Sequence, residues 1–253
     1  AIDETPVSLA STDDLQIGGA VGLSVADVVF ASATVNMSRS DISGIADPDT
    51  TTAELLQGGL LTLAITDATL FVGTGASLDS VSGTVTLPGP NDTTAVGFSI
   101  TGGALDLGIF TATERSTDSG NNYAAITVAQ KYTGIEARLG VAALQGVDAV
   151  TLIATDLVFK QNTTSADGGV RLDWSAIDET PVSLASTDDL QIGGIVGLSV
   201  ADVVFARAEM NMTRSDISDI ADPDTTTAEL LQGGLLTLSI TEASLFVLSF
   251  IHL

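Results

Sequence analysis

Residues 1–72 return as residues 176–247, displaced by 175 positions and identical at 63 of the 72 aligned positions. Both copies open on the same string, AIDETPVSLASTDDLQIGG, from Ala1 and from Ala176. Self-similarity at a fixed period is the mark of architectures in which one unit packs on the next. An enzyme needs one asymmetric pocket and gains little from such copying. The chain therefore reads as one full repeat unit over 1–175 and a partial second unit over 176–253. Its first residue is not Met and matches an internal position of the repeat, and no signal-peptide pattern is visible. The expected context is a mature or excised portion of a longer protein.

The repeated stretch from Leu15 to Met37 alternates. Leu15, Ile17, Val21, Leu23, Val25, Val29, Val35 and Met37 fall on the odd parity, while Gln16, Gly18, Ser24, Ser32, Thr34 and Asn36 fall on the even one. A period of two means strand. Twenty-three extended residues would reach roughly 75 Å, beyond a usual strand, so the run is expected to bend or split at Gly18-Gly19, Gly22 or Asp27. Differences between copies mostly respect the two faces: Ser32 becomes Arg207, Thr34 becomes Glu209 and Val35 becomes Met210, while the change of Ala20 to Ile195 on the mixed face has no explanation in the pattern.

A shorter echo places Asp27, Asp67 and Asp156 in similar strings ending in Phe30, Phe71 and Phe159. Around Asp67 the apolar parity switches from Leu61, Leu63, Ile65 to Ala68, Leu70, Val72. A change of face at one residue predicts a β-bulge or a corner. Further strands are expected at 81–87, 95–113, 123–140 and 147–161, with turn-rich connectors between them. One short helix is expected over 47–59, capped by Asp47 or a Thr and ended by Gly58, with its copy at 222–234.

The fold class that follows is all-β, an elongated repeat architecture with long strands, a β-solenoid or spiral β rod. Antiparallel β-sandwich units are the alternative. In the rod each unit passes its open strand edge to the next, because an unpaired edge is a liability unless a neighbour covers it.

Composition narrows function. Acidic residues number 32 against 8 basic ones, a net charge of −24. Such a chain repels phosphate backbones, so no nucleic-acid partner is expected. There is no cysteine, hence neither disulfide nor thiolate metal site, and no apolar run long enough for a membrane-spanning helix. The single histidine, His252, leaves no basis for a catalytic triad, a zinc centre or a histidine base. No catalytic residue is assigned. Paired carboxylates such as Asp13-Asp14 lack the aromatic platform of a saccharide cleft. The one metal candidate is calcium, which takes six to eight oxygens. Asp47, Asp49 and Glu54, with their copies Asp222, Asp224 and Glu229, are the candidate ligands, although their spacing matches no EF-hand. The four Asn-x-Ser/Thr triplets, at Asn36, Asn91, Asn162 and Asn211, are taken as accidental. Trp174, alone of its kind, is expected to anchor the core at the junction between units.

The phrases LLTLAITDATLFVG, YAAITVAQKYTGIEARLGVAALQGVDAVTLIATDLVF and GGVRLDWS resemble units of the giant tandem-repeat extracellular proteins of environmental bacteria. That resemblance covers most of the chain, and its motifs are strands and turns. It implies an extracellular or cell-surface fibre, sheath or adhesin without catalytic residues. Its partners would be other copies of itself and cell-surface polysaccharide. The leading expectation is thus a structural repeat segment of an extracellular filament, assembled by β-edge pairing and by apolar packing of the odd-parity face. An outer-membrane β-barrel comes second, and a carbohydrate-active β-helix protein third.

Overall fold

A computed structural model describes residues 13–50, 54–89, 94–116, 122–166, 169–221 and 230–248. Eleven strands follow in chain order: β1 (Asp13–Val25), β2 (Val29–Ala46), β3 (Leu55–Thr74), β4 (Ser77–Leu78), β5 (Val85–Thr86), β6 (Val96–Ser116), β7 (Tyr123–Gln145), β8 (Val150–Thr164), β9 (Leu190–Val200), β10 (Val204–Ala221) and β11 (Leu230–Val247). Nine of them form one sheet in the order β1-β2-β3-β6-β7-β8-β9-β10-β11, and β4 and β5 pair as a small separate hairpin. Every ladder of the large sheet is antiparallel and joins strands that follow one another in it. The sheet does not close into a barrel.

The all-β expectation holds. The coiling expected of a solenoid is not what the described residues do: they meander, because each strand returns antiparallel beside the one before it in the sheet, through a tight turn as between β1 and β2 or a long connector as between β8 and β9, whereas parallel coils need crossovers. The first reversal falls at Asp27. Ala26 and Asp27 both adopt left-handed φ of 52°, and the Val28 N–H donates to the Val25 carbonyl at 3.1 Å. Positive φ at two consecutive central residues matches the right-handed twist of the flanking strands. Ala201 and Asp202 repeat this turn at the same 52°, so β9–β10–β11 retrace β1–β2–β3.

Asp67 and Asp156 use the same left-handed conformation, each at φ 53°, inside a strand. Between Ser32↔Thr69 and Thr34↔Thr66 the β3 side carries one extra residue, a bulge at Asp67. Burial then changes parity, from Leu56, Leu60 and Thr62 before it to Phe71 after it, so one physical face stays packed.

That packed face is the even-parity one in β3. Leu56, Leu60, Phe110, Ala112 and Tyr132 form the core with Leu172, Trp174, Ile177, Val182 and Leu184. The last five belong to the connector between β8 and β9, which crosses the sheet as a strap containing one 3-10 turn, Trp174–Ala176. The Trp174 indole lies over Gly108 and Gly134, a cross-strand pair; a Cβ on Gly134 would stand 2.7 Å from Trp174 Nε1. Trp174 is fully buried, as its isolation in the sequence leads one to expect. Nearer the other end of the strands, Phe30 and Phe71 are buried on the same face, and Gly83 from the segment after β3 lies against Gly22 of β1.

Two expectations fail. The helix over 47–59 is absent where described: Asp47 to Asp49 form a turn, with the Asp49 N–H donating to Asp47 Oδ1 at 3.0 Å, and Leu55–Gly59 is strand. Leu56 and Leu60 alternate onto the core, and that burial outweighs a weak local helix preference. In the second copy 222–229 lie outside the described residues, while Leu230–Gly234 begin β11. The strand expected over 81–87 is reduced to the two-residue β5, because the Asp79 carboxylate accepts from the Val81 and Ser82 N–H groups and holds a turn there.

Candidate functional site: acidic clusters and two free edges

Six of the eight basic side chains stand in ion pairs, and three of the carboxylates they meet are buried. The first cluster contains the calcium candidates of copy one. Arg115, at the end of β6, pairs with Asp47 and lies 3.8 Å from Glu54. Asp49 turns aside, and its Oδ1 accepts the Val170 N–H at 2.6 Å. The three carboxylates are thus brought to one end of the sheet with a guanidinium among them, and a charge the sequence reserved for a metal is met by the chain's own cation. No group of three or more metal-binding side chains is found among the described residues. Asp222, Asp224 and Glu229 lie outside those residues. Burial, then Asp49 and Asp47, raise the Tyr132 hydroxyl well above its usual range, with Arg115 opposing. It stays protonated and donates to Gln130 Oε1 at 3.1 Å.

The second cluster ties the strap down. Glu136 Oε2 accepts the Ser183 N–H at 2.7 Å and its hydroxyl at 2.9 Å, while Lys160 and Arg138 stand 3.5 and 3.6 Å from Oε1. Burial pushes the carboxyl upward, but Ser183 and the two cations outweigh it and hold Glu136 below the usual glutamate range. Asp106, paired across the strands with Glu136, is raised by burial and by that neighbouring charge. In the third cluster Arg214 clasps Asp189 with two bonds of 2.6 and 2.7 Å, and Arg171 bridges to Asp216 at 2.7 Å. In each of the three clusters a buried carboxylate is met by a basic side chain.

The remaining feature of the sheet is its unfinished boundary. Among the described residues β1 and β11 each pair on one side only. The odd-numbered side chains of β1 also face outward, with Ile17 and Val21 at 53% exposure, as does Leu238 of β11, the copy of Leu63, at 60%. No described segment covers that apolar face. Sequence reading identified the alternation and the Asp turns. It missed Arg115, Glu136 and Asp189 as organisers; the scarcity of basic residues was the available signal, since each cation is worth locating in so acidic a chain.

No known protein family, curated protein or solved structure matches this chain.

Proposed function

We propose that this chain is a structural repeat segment of an extracellular or cell-surface bacterial filament, sheath or adhesin. Units join by pairing their strand edges and by stacking their apolar faces. The observation that carries the reading is the pair of free edges at the two ends of a sheet whose first and last three strands are copies of each other. An exposed edge of a long strand is a template for further pairing, and here both edges are long. Its strong negative charge keeps such units apart until edges meet in register. Polysaccharide at the cell surface is a candidate partner for the finished array.

Electron microscopy of the purified chain tests this. Threads with a regular axial repeat are expected; a monodisperse, solitary particle at high concentration overturns the reading.

An outer-membrane β-barrel is the second reading, favoured by the meander topology and the outward apolar face. No described helix is long and apolar enough to cross a membrane, which leaves strands as the means of crossing. Against it, the opposite face carries a strap and a tryptophan-centred core. Reconstitution into detergent micelles, with protection of the apolar face from hydrogen exchange, is the result that would favour the barrel.

A further inference from the structure

The assembly reading above leaves open which strand fits which edge, and the internal repeat answers that for β11. We propose that the free edge of β11 is a docking site for a strand with the chemistry of β6, presented by another repeat unit.

β11 is the copy of β3 and differs from it only at Ser239, Glu242 and Ser244. In the first copy that edge is filled by β6, in the register Gly58↔Ala112, Leu60↔Phe110, Leu63↔Leu107 and Phe71↔Ser99. The same four β3 residues recur as Gly233, Leu235, Leu238 and Phe246. On the face that no described connector covers, Leu63 and Ile65 are half-buried beside β6, whereas their copies Leu238 and Ile240 are 60% and 55% exposed. The second copy therefore carries side chains shaped for a neighbour that these residues lack.

Glycine gives the sharpest form of the argument. A Cβ on Gly58 would strike the Thr111 carbonyl oxygen and come within 2.9 Å of Ala112 Cα, so β6 can approach only a glycine there. Around Gly233 nothing lies within 4 Å of such a Cβ. Glycine weakens a strand interior, and at Gly233 the isolated chain gains nothing for that cost. The residue makes sense once a β6-like backbone lies against it. The opposite edge obeys the same logic: Gly194 on β9 meets Leu157 of β8, while its copy Gly19 on β1 has open space. The two edges are thus matched to different strands, β11 to a β6 type and β1 to a β8 type, and not to each other.

The proposal rests on the edge-pairing reading, and the test separates them. A labelled peptide of the β6 sequence, Val96–Ser116, is titrated into the full chain and followed by fluorescence anisotropy, with hydrogen exchange locating its site. Saturable one-to-one binding that protects β11 is expected. Gly233→Ala should weaken it by about tenfold or more, the scale of one overpacked methyl against backbone. Gly234→Ala should leave it unchanged, since that position has only ordinary contacts, Arg214 at 3.8 Å. Should Gly233→Ala fail to fold, the change is made in the peptide, where Ala112→Pro should abolish binding to the unmodified chain. Absence of binding, equal loss in both glycine variants, or protection of β11 by the β1 edge of a second copy overturns the proposal. Threads without peptide binding would leave edge assembly standing with a different partner strand; binding without threads would leave the partner strand standing and remove the filament.

Discussion

Trp174 donates its indole N–H to Asn162 Oδ1 at 3.1 Å, and neither side chain is reached by solvent. The Asn162 amide donates in turn to the carbonyls of Leu172 and Ala185 at 2.9 and 3.0 Å. One side chain from β8 thus fastens both arms of the strap and the tryptophan between them. This also gives a physical reason for treating the Asn162-Thr-Thr triplet as accidental: in the folded chain its amide nitrogen is fully engaged. Trp174→Ala is expected to cost about 3–5 kcal/mol, a large aromatic lost from a packed core. Asn162→Ala is expected to cost about 1–3 kcal/mol for each buried partner left without a bond. Urea unfolding followed by the emission of this single tryptophan measures Asn162→Ala, and circular dichroism measures Trp174→Ala.

Gly134 and Gly108 form the slot in which the indole lies. Gly134→Ala therefore overpacks a rigid aromatic and is expected to destabilise by about 1–3 kcal/mol. Gly134→Ala combined with Trp174→Ala should be less costly than the sum of the two, because the methyl then enters space the ring has left. A double-mutant cycle in urea checks this; strict additivity would show that the two do not touch.

Arg115 and Asp47 are unequal partners. The Asp47 side chain is fully buried, whereas Arg115 keeps 29% of its side-chain surface exposed. Arg115→Met strands a buried carboxylate and should cost about 3–5 kcal/mol. Asp47→Asn leaves Arg115 with solvent and with Glu54 nearby, so it should cost clearly less. The same pair tests the calcium assignment. Calcium should recover part of the stability lost in Arg115→Met and leave the parent chain unmoved, as read from urea midpoints with and without the ion. A calcium-dependent rise in the parent chain would mean that Asp47, Asp49 and Glu54 take the metal despite the guanidinium.

Glu136 sets an acid limit. Its carboxyl is held below the unfolded value of 4.5, so its contribution is present above that value and is lost as the pH falls through its lower folded value. Asp106 runs the other way: raised above 3.8, it favours the fold when protonated and loses that contribution as the pH rises through its folded value. Glu136→Gln should lower stability at neutral pH and flatten its decline in acid. Asp106→Asn should raise stability at neutral pH. Urea midpoints followed from neutral pH down through the carboxylate range give both slopes.

Much of the chain's local structure was legible because it is set by neighbours in sequence. Period-two patterning gave the strands, and the recurring Asp strings gave the sites of a bulge or corner. Yet Asp27 became a hairpin and Asp67 a bulge from the same local conformation, since the choice depends on whether the following residues pair with the preceding strand or with a third one. The helix expected over 47–59 failed for a related reason: its capping signals are real, but Leu56, Gly58 and Leu60 meet β6, from more than forty residues downstream.

By itself, the sequence determined an all-β chain, built from a unit used twice, with turns where aspartate tolerates a left-handed backbone. These are properties of short segments and of copying. Only the tertiary structure decided that the strands run as one antiparallel meander, that a strap centred on Trp174 fills the even-parity face, and that the scarce cations gather around Asp47, Glu136 and Asp189. Those outcomes depend on which distant surfaces can approach closely, and the glycines at 58, 108 and 134 permit it by having no side chain at the point of contact.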